Sequence, residues 1–318
     1  MTSLANGVTV TEPVGNASRV SGRRRRSQQT RSRQLIGLAM AAPGIILIVT
    51  FFLVPLVMTF WISFHNWALL GAHRWVGLAN YQRAVQDPAF LSALKFTVLY
   101  TVVITPILFA LGLGMAFLVR RRVRSARIFQ SIYFMPVCIG FAAGAFLWLY
   151  LGQSQIGPLF DLLDRVGLVN ANSNLFASRA SALMLVIAMV TWKVVGLQML
   201  LLLSGLQSIP EEVNEAARID GAGRWQSFTH ITLPLLRPTH ALVLVFSVAG
   251  SLLAFDQFFI MTAGGPSNST ITAVYEIYRT SFISFKLGYG AALSVFLMVI
   301  LAIVSAIQML LLRNTDHS

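Results

Sequence analysis

Six long runs of predominantly apolar residues restrict what this chain can fold into: Leu35 to Ile62, Phe96 to Val119, Ile128 to Leu151, Ala182 to Leu206, Thr239 to Thr262 and Leu287 to Leu312. About 20 apolar residues in a helix cross about 30 Å of hydrocarbon, and every run reaches that length. No water is present in that layer, so each backbone N–H and C=O must bond within its own segment or around a closed barrel. Barrel strands would alternate apolar and polar residues, whereas these runs are continuous. An all-α, polytopic membrane protein with six transmembrane helices is expected over residues 35–313. Composition agrees, with 56% hydrophobic and only 11% charged residues, against roughly 25% charged in a soluble domain.

A formal charge of +13 raises the question of nucleic acid, but the placement of the arginines answers it. They cluster at Arg23, Arg24, Arg25, Arg26, Arg31 and Arg33 before the first run, and at Arg120, Arg121, Arg122, Arg124 and Arg127 between the second and third. Cytoplasmic segments of membrane proteins carry this bias, so no nucleic-acid partner is needed to explain it. Both termini and the segment 207–238 are then expected inside, and the loops around Asn80, Asp161 and Tyr275 outside. Residues 1–34, rich in Ser, Thr, Gly and Arg, read as a disordered cytoplasmic tail, and 314–318 as a short C-terminal one. The run from Leu35 is too long for a signal-peptide core. Cys138 is the single cysteine, which excludes an internal disulfide, and its apolar setting predicts a packed thiol. The five histidines show no metal-ligand spacing, so neither a metal site nor a catalytic residue is assigned.

Between the fourth and fifth runs lies a polar segment. Ser208-Ile209-Pro210-Glu211 has the spacing of a capping box and predicts a short helix that starts there. Val213, Ala216 and Ala217 fall on one face of it, and Gly221 is a natural stop. A second short helix would carry Trp225 and Phe228 before Pro234 breaks it. Small alanines allow a partner to come close, and Glu215 offers a charged hydrogen-bond acceptor beside them. From patterning alone, the segment reads either as an amphipathic stretch lying on the bilayer or as a docking hairpin.

Polar residues inside the runs are the other candidates. Lys193 lies roughly eleven residues, about 16 Å, into the fourth run. A central lysine costs on the order of 2.5 to 3.5 kcal/mol, so it is expected to face protein or water. Asp256 lies about 9 Å from the end of the fifth run, within reach of a snorkelling lysine stem. The two would line or gate a path for a hydroxylated solute, or would pair and fix two helices. Ser247 and Ser251 share a face. Phe255 and Phe258 fit the Ser251 face and would stack on a sugar ring or pack as ordinary core aromatics. Gly140 and Gly144 form a pair that lets helix backbones approach closely.

Several strings resemble one family. Glu215-Ala216-Ala217, Gly221 and Ile231-Thr232-Leu233-Pro234 together resemble the EAA loop of permease subunits of binding-protein-dependent ABC importers, in the carbohydrate branch that serves maltose, glycerol 3-phosphate and trehalose. Trp75-Val76-Gly77-Leu78-Ala79-Asn80-Tyr81, Gly205-Leu206-Gln207-Ser208-Ile209-Pro210, Phe255-Asp256, Met261-Thr262-Ala263-Gly264-Gly265-Pro266 and Gly288-Tyr289-Gly290-Ala291-Ala292 extend the likeness over nearly all of the membrane part. Two places depart from it: Phe96-Thr97, where the family commonly has Asn-Thr, and the turn at Gln155-Ile156-Gly157-Pro158.

The resemblance implies the type I importer permease fold in the cytoplasmic membrane of a prokaryote. It implies ATP-binding subunits that dock on Glu215, Ala216, Ala217, Asp220 and Gly221, a second permease completing a heterodimer, and an external sugar-binding protein. Lys193, Ser251, Phe255, Asp256 and Phe258 are the pathway candidates. The sequence lacks a Gly-x-x-x-x-Gly-Lys-Ser/Thr phosphate loop, so ATP and Mg are expected on the partner ATPase, with no cofactor in this chain. The competing readings are an ion-coupled carrier, for which Asp256 is the coupling candidate, and a polytopic membrane enzyme, for which the only acidic cluster, Glu211 to Asp220, lacks histidine spacing.

Overall fold

A computed structural model of the chain describes residue 37 and residues 40–68, 73–120, 123–170 and 173–313. The tails expected at 1–34 and 314–318 lie outside the described residues. The chain divides into two units, Met1–Met58 and Thr59–Ser318. Helix α1, Met40–Ser63, carries a π-helical turn at Val49–Leu53, and most of its apolar side chains are exposed.

Beyond α1, strands β1 (His65–Asn66) and β2 (Arg74–Trp75) pair antiparallel, with His65 opposite Trp75. Asn80 explains its place in the Trp75–Tyr81 string. Its amide donates to the carbonyls of Ser63 at 2.8 Å and His65 at 3.0 Å, which clamps the end of α1 to the ribbon.

Helix α2, Pro88–Leu118, starts well before the apolar run at Phe96, because its start is set by capping. Asp87 accepts the Ala89 N–H at 3.0 Å, and Pro88 occupies the first turn, where its missing N–H costs nothing. The third span is two helices, α3 (Arg124–Phe134, extended by a 3-10 turn Met135–Cys138) and α4 (Phe141–Leu151). They meet at a bend of 98° where Ile139 and Gly140 are extended, so the continuous helix expected from Ile128 to Leu151 is corrected. Gly140 serves this break; the close helix approach expected of the glycine pair falls to Gly144, where a β-carbon would lie 3.1 Å from Met189 Cε.

Helix α5, Arg179–Gln207, is continuous over 29 residues. It packs along α2: Phe96, Tyr100, Ile104 and Leu108, four apart, meet Leu185, Val186, Met189 and Val190 in one core. A second core toward the other end joins Ala116 and Val119 to Met199, Leu202, Leu203 and Leu206. Two short helices follow, α6 (Glu211–Ile219) and α7 (Arg224–Ser227), and then α8 (Arg237–Leu252), which bends by 69° from the segment before it. Helix α8 stops at Leu252, ten residues short of the expected end at Thr262. Thr272 donates to the carbonyl of Ala254, just beyond the stop, at 2.7 Å. Helix α9, Leu287–Arg313, is the last. Among the described residues four helices are long and apolar enough to cross a membrane, and two bent pairs bring the number to as many as six when each pair is taken as one span.

Candidate functional site

The hairpin between α5 and α8 begins with a correction. Ser208 closes α5: its N–H bonds to the carbonyls of Ser204 and Gly205 at 3.2 Å, and its hydroxyl donates to Gly205 at 2.8 Å. The hydroxyl is thus taken by the preceding helix, and Pro210 is the N-cap of α6 with no capping box. Glu211 and Glu212 in the first turn of α6 suit the positive end of the helix dipole. At the other end Gly221 adopts φ +77°, with Gly221 N–H to Arg218 at 3.1 Å and Ala222 N–H to Ala217 at 2.9 Å. Those two bonds are the Schellman cap, which glycine enters without steric cost. Gly223 N–H then donates to Gln226 Oε1 at 3.0 Å and starts α7.

The outward face of this hairpin carries Glu215, Ala216, Asp220 and Gly221, all exposed. Ala217 turns inward and Val213 is half-buried, so the expected shared face is corrected: Ala216 is rotated by about 100° from Ala217. Ile219 is 86% exposed and Trp225 74%. Both are large apolar side chains left open beside charged ones. The inward side is anchored, since the Phe228 ring meets Phe117 of α2 at 5.4 Å. At the base a β-carbon on Gly205 would come within 2.8 Å of Thr239 Cβ, so α5 and α8 leave the membrane side by side.

Deeper in the helical unit lies a cavity of about 450 Å³, within the usual range for a small-molecule site. Its walls are mainly apolar, with polar groups from Tyr100 of α2, Lys193 of α5, Ser247 and Ser251 of α8, and Gln257 beyond the α8 stop. Ser251 donates to its own helix at Val248, 3.0 Å, which leaves its oxygen lone pairs to accept. Lys193 is 4% exposed and near the midpoint of α5. Its Nζ donates to the carbonyl of Pro136 at 3.4 Å and to that of Ile139, and lies 4.6 Å from the centre of the Phe141 ring.

The structure brings Lys193 and Ser251 together at the cavity and places the other three pathway candidates elsewhere. Phe255 stacks on Phe259 at 5.1 Å and meets Tyr278 at 5.3 Å. Phe258 is fully buried, edge-on to Phe96 and Tyr100. The helical spacing that grouped both with Ser251 ends at Leu252. Asp256 is half-buried and forms no ion pair among the described residues, so of the two readings for Lys193 and Asp256 the pairing of two helices is not the one found. Tyr100 and Gln257 were missed; an amide next to Asp256 near the membrane was the available signal. Cys138, expected as a packed thiol, is exposed.

Comparison with known proteins adds an independent line. Residues 107–317 match the family model described as "Binding-protein-dependent transport system inner membrane component". The sn-glycerol-3-phosphate transport system permease protein UgpA of Agrobacterium fabrum is 33% identical over 288 residues, covering 89% of this chain and 97% of its own. The multiple sugar-binding transport system permease protein MsmF of Streptococcus mutans is 32% identical over 273 residues, covering 86% and 93%. Among solved structures, a chain of a bacterial ABC transporter that imports alginate superposes with a TM-score of 0.79 at 22% identity. It covers 92% of this chain and 99% of its own, a likeness of fold.

Proposed function

This chain belongs to the family of binding-protein-dependent transport system inner membrane components, and on that premise we propose that it is a permease subunit of an ABC importer for carbohydrates or sugar derivatives. The observation that carries the mechanism is the hairpin. A Schellman-capped pair of short helices, anchored inward and open outward, sits between two spans. A separate ATPase that uses ATP and Mg docks on Glu215, Ala216, Asp220 and Gly221, with Ile219 and Trp225 as apolar contacts. Ala217 acts from the inward side, seating the helix. Closure of the ATPase pair moves the hairpin as a lever, and the spans switch between inward and outward openings.

A second permease completes the path, and an external binding protein delivers the solute. Ser251 and Gln257 offer hydrogen-bonding groups to sugar hydroxyls from the cavity in this half of the path. Both termini and the hairpin face the cytoplasm, as the arginine distribution requires. This orientation is checked with Cys138 replaced and single cysteines at Ala5, Thr315 and Asn170: the first two react only from inside and the third from outside. Transport is tested by reconstituting the chain with its partners and screening sugars for uptake. Uptake that persists when the ATPase subunits cannot hydrolyse ATP would overturn the reading in favour of an ion-coupled carrier.

A further inference from the structure

We infer that Lys193 is a positioning residue that latches the break in the third span, and so sets the cavity wall, instead of binding the transported solute; this rests on the permease reading above. The break at Ile139 and Gly140 turns the chain through 98°. The 3-10 turn ends at Cys138, and the Pro136 carbonyl, which accepts the Ile139 N–H at 3.1 Å, keeps a second lone pair with which to accept.

Lys193 supplies donors there. Its ammonium bonds the carbonyl of Pro136 in the last turn before the break and that of Ile139 at the hinge, and it faces the ring of Phe141 just after. A cation suits the negative end of a helix and the face of an aromatic ring, and an ammonium has three donors to distribute. These dipoles and the ring take the place that a carboxylate would otherwise fill.

Helix α5 is built to reach the break from both sides. A β-carbon on Gly196 would run into the carbonyl of Tyr133 and come within 3.0 Å of Phe134 Cα, so the backbones of α5 and α3 touch. Beyond the break, Gly144 rests on Met189. Lys193 stands between these two contacts. Val137, Ile139, Gly140 and Phe141 line the cavity, so the angle held at the break fixes its width.

Cys138, exposed one residue before the hinge, is a native reporter. In the complete reconstituted transporter, its rate of modification by N-ethylmaleimide is followed by the mass of this chain, alongside uptake of several sugars. Lys193→Met changes the labelling rate and lowers maximal uptake about tenfold, the scale of a lost hydrogen bond to a charged group, by one factor for every sugar and with KM little altered. Lys193→Arg, which keeps the charge and the donors, restores both. A sugar-selective change in KM with Cys138 labelling unaltered would overturn the latch, and so would a Lys193→Met chain with labelling and uptake unchanged. If Lys193→Met does not assemble, Lys193→Gln is judged on the same two readouts. Absence of ATP-dependent uptake by the unmutated complex would refute the permease reading alone, because Cys138 labelling reports on the latch without transport.

Discussion

Gln198 of α5 donates its side-chain amide to the hydroxyl of Ser247 on α8 at 2.5 Å, with both groups buried. Ser247 passes the bond on to the carbonyl of Val243 at 2.7 Å. These are the two helices that enter and leave the polar hairpin, and Ser247 also lines the cavity. The bond therefore stands where movement of the hairpin and the shape of the cavity meet.

The two ends of that bond should not be equivalent. Ser247→Ala leaves the Gln198 amide buried with neither end paired, since its Oε1 already has no partner among the described residues. Gln198→Met removes both ends, and Ser247 keeps its bond to Val243. Ser247→Ala is expected to destabilise the detergent-purified chain by about 1 kcal/mol, in line with interhelical bonds in membranes, and Gln198→Met by less. Equal losses in thermal unfolding would show that the amide is satisfied in another way.

At the hairpin, Gly221→Val places a branched side chain at φ +77°. The left-handed region costs an L-residue about 1 to 2 kcal/mol, more with branching, so the Schellman cap should open and α6 should lose its angle to α7. Insertion in the membrane should be normal, while co-purification of the ATPase and uptake both fall. Wild-type uptake by this variant would remove the coupling role from the hairpin.

Gly205→Ala tests the crossing at the hairpin base. The added carbon meets Thr239, and relieving that overlap should cost about 1 to 3 kcal/mol. Combining it with Thr239→Ala should recover part of the loss, because the atoms that block the new carbon are then fewer. If the double variant is less stable than the sum of the singles, the two helices do not meet as described.

Outside the spans, burial pushes the Glu276 carboxyl above the usual carboxylate range; Arg279, 3.5 Å away, opposes this and Asp87 adds to it. A raised carboxyl pKa means that the folded chain holds a proton after the unfolded chain has released it. Relative stability is then fullest at low pH and declines as pH rises through the folded value. Glu276→Gln should abolish this decline, so the variant gains on wild type as pH rises above the ordinary carboxylate range. The reverse trend in thermal unfolding would contradict the burial of Glu276.

The apolar runs, the hairpin and its glycine stop were legible in the sequence because they rest on local chemistry. Apolar length sets whether a segment crosses, and Gly221 answers to the backbone angle of a single residue. Ser208 shows where local chemistry becomes ambiguous, since one hydroxyl had two helix ends within reach and took the first.

What only the tertiary structure decided is which intramembrane polar groups meet. Lys193 and Asp256 read from charge alone either as path groups or as partners, yet the lysine bonds carbonyls at the break in the third span. Phe255 and Phe258 read as one face with Ser251 until α8 stopped at Leu252 and turned them toward other aromatics. Neither break is visible in apolar content, because hydrocarbon requires that backbone groups be satisfied without specifying by whom. The sequence by itself determined the apolar runs and the place of the hairpin; contacts between segments distant in sequence, among them Lys193 to Ile139 and Thr272 to Ala254, belong to the tertiary structure, which decided where the helices break and so where the cavity lies.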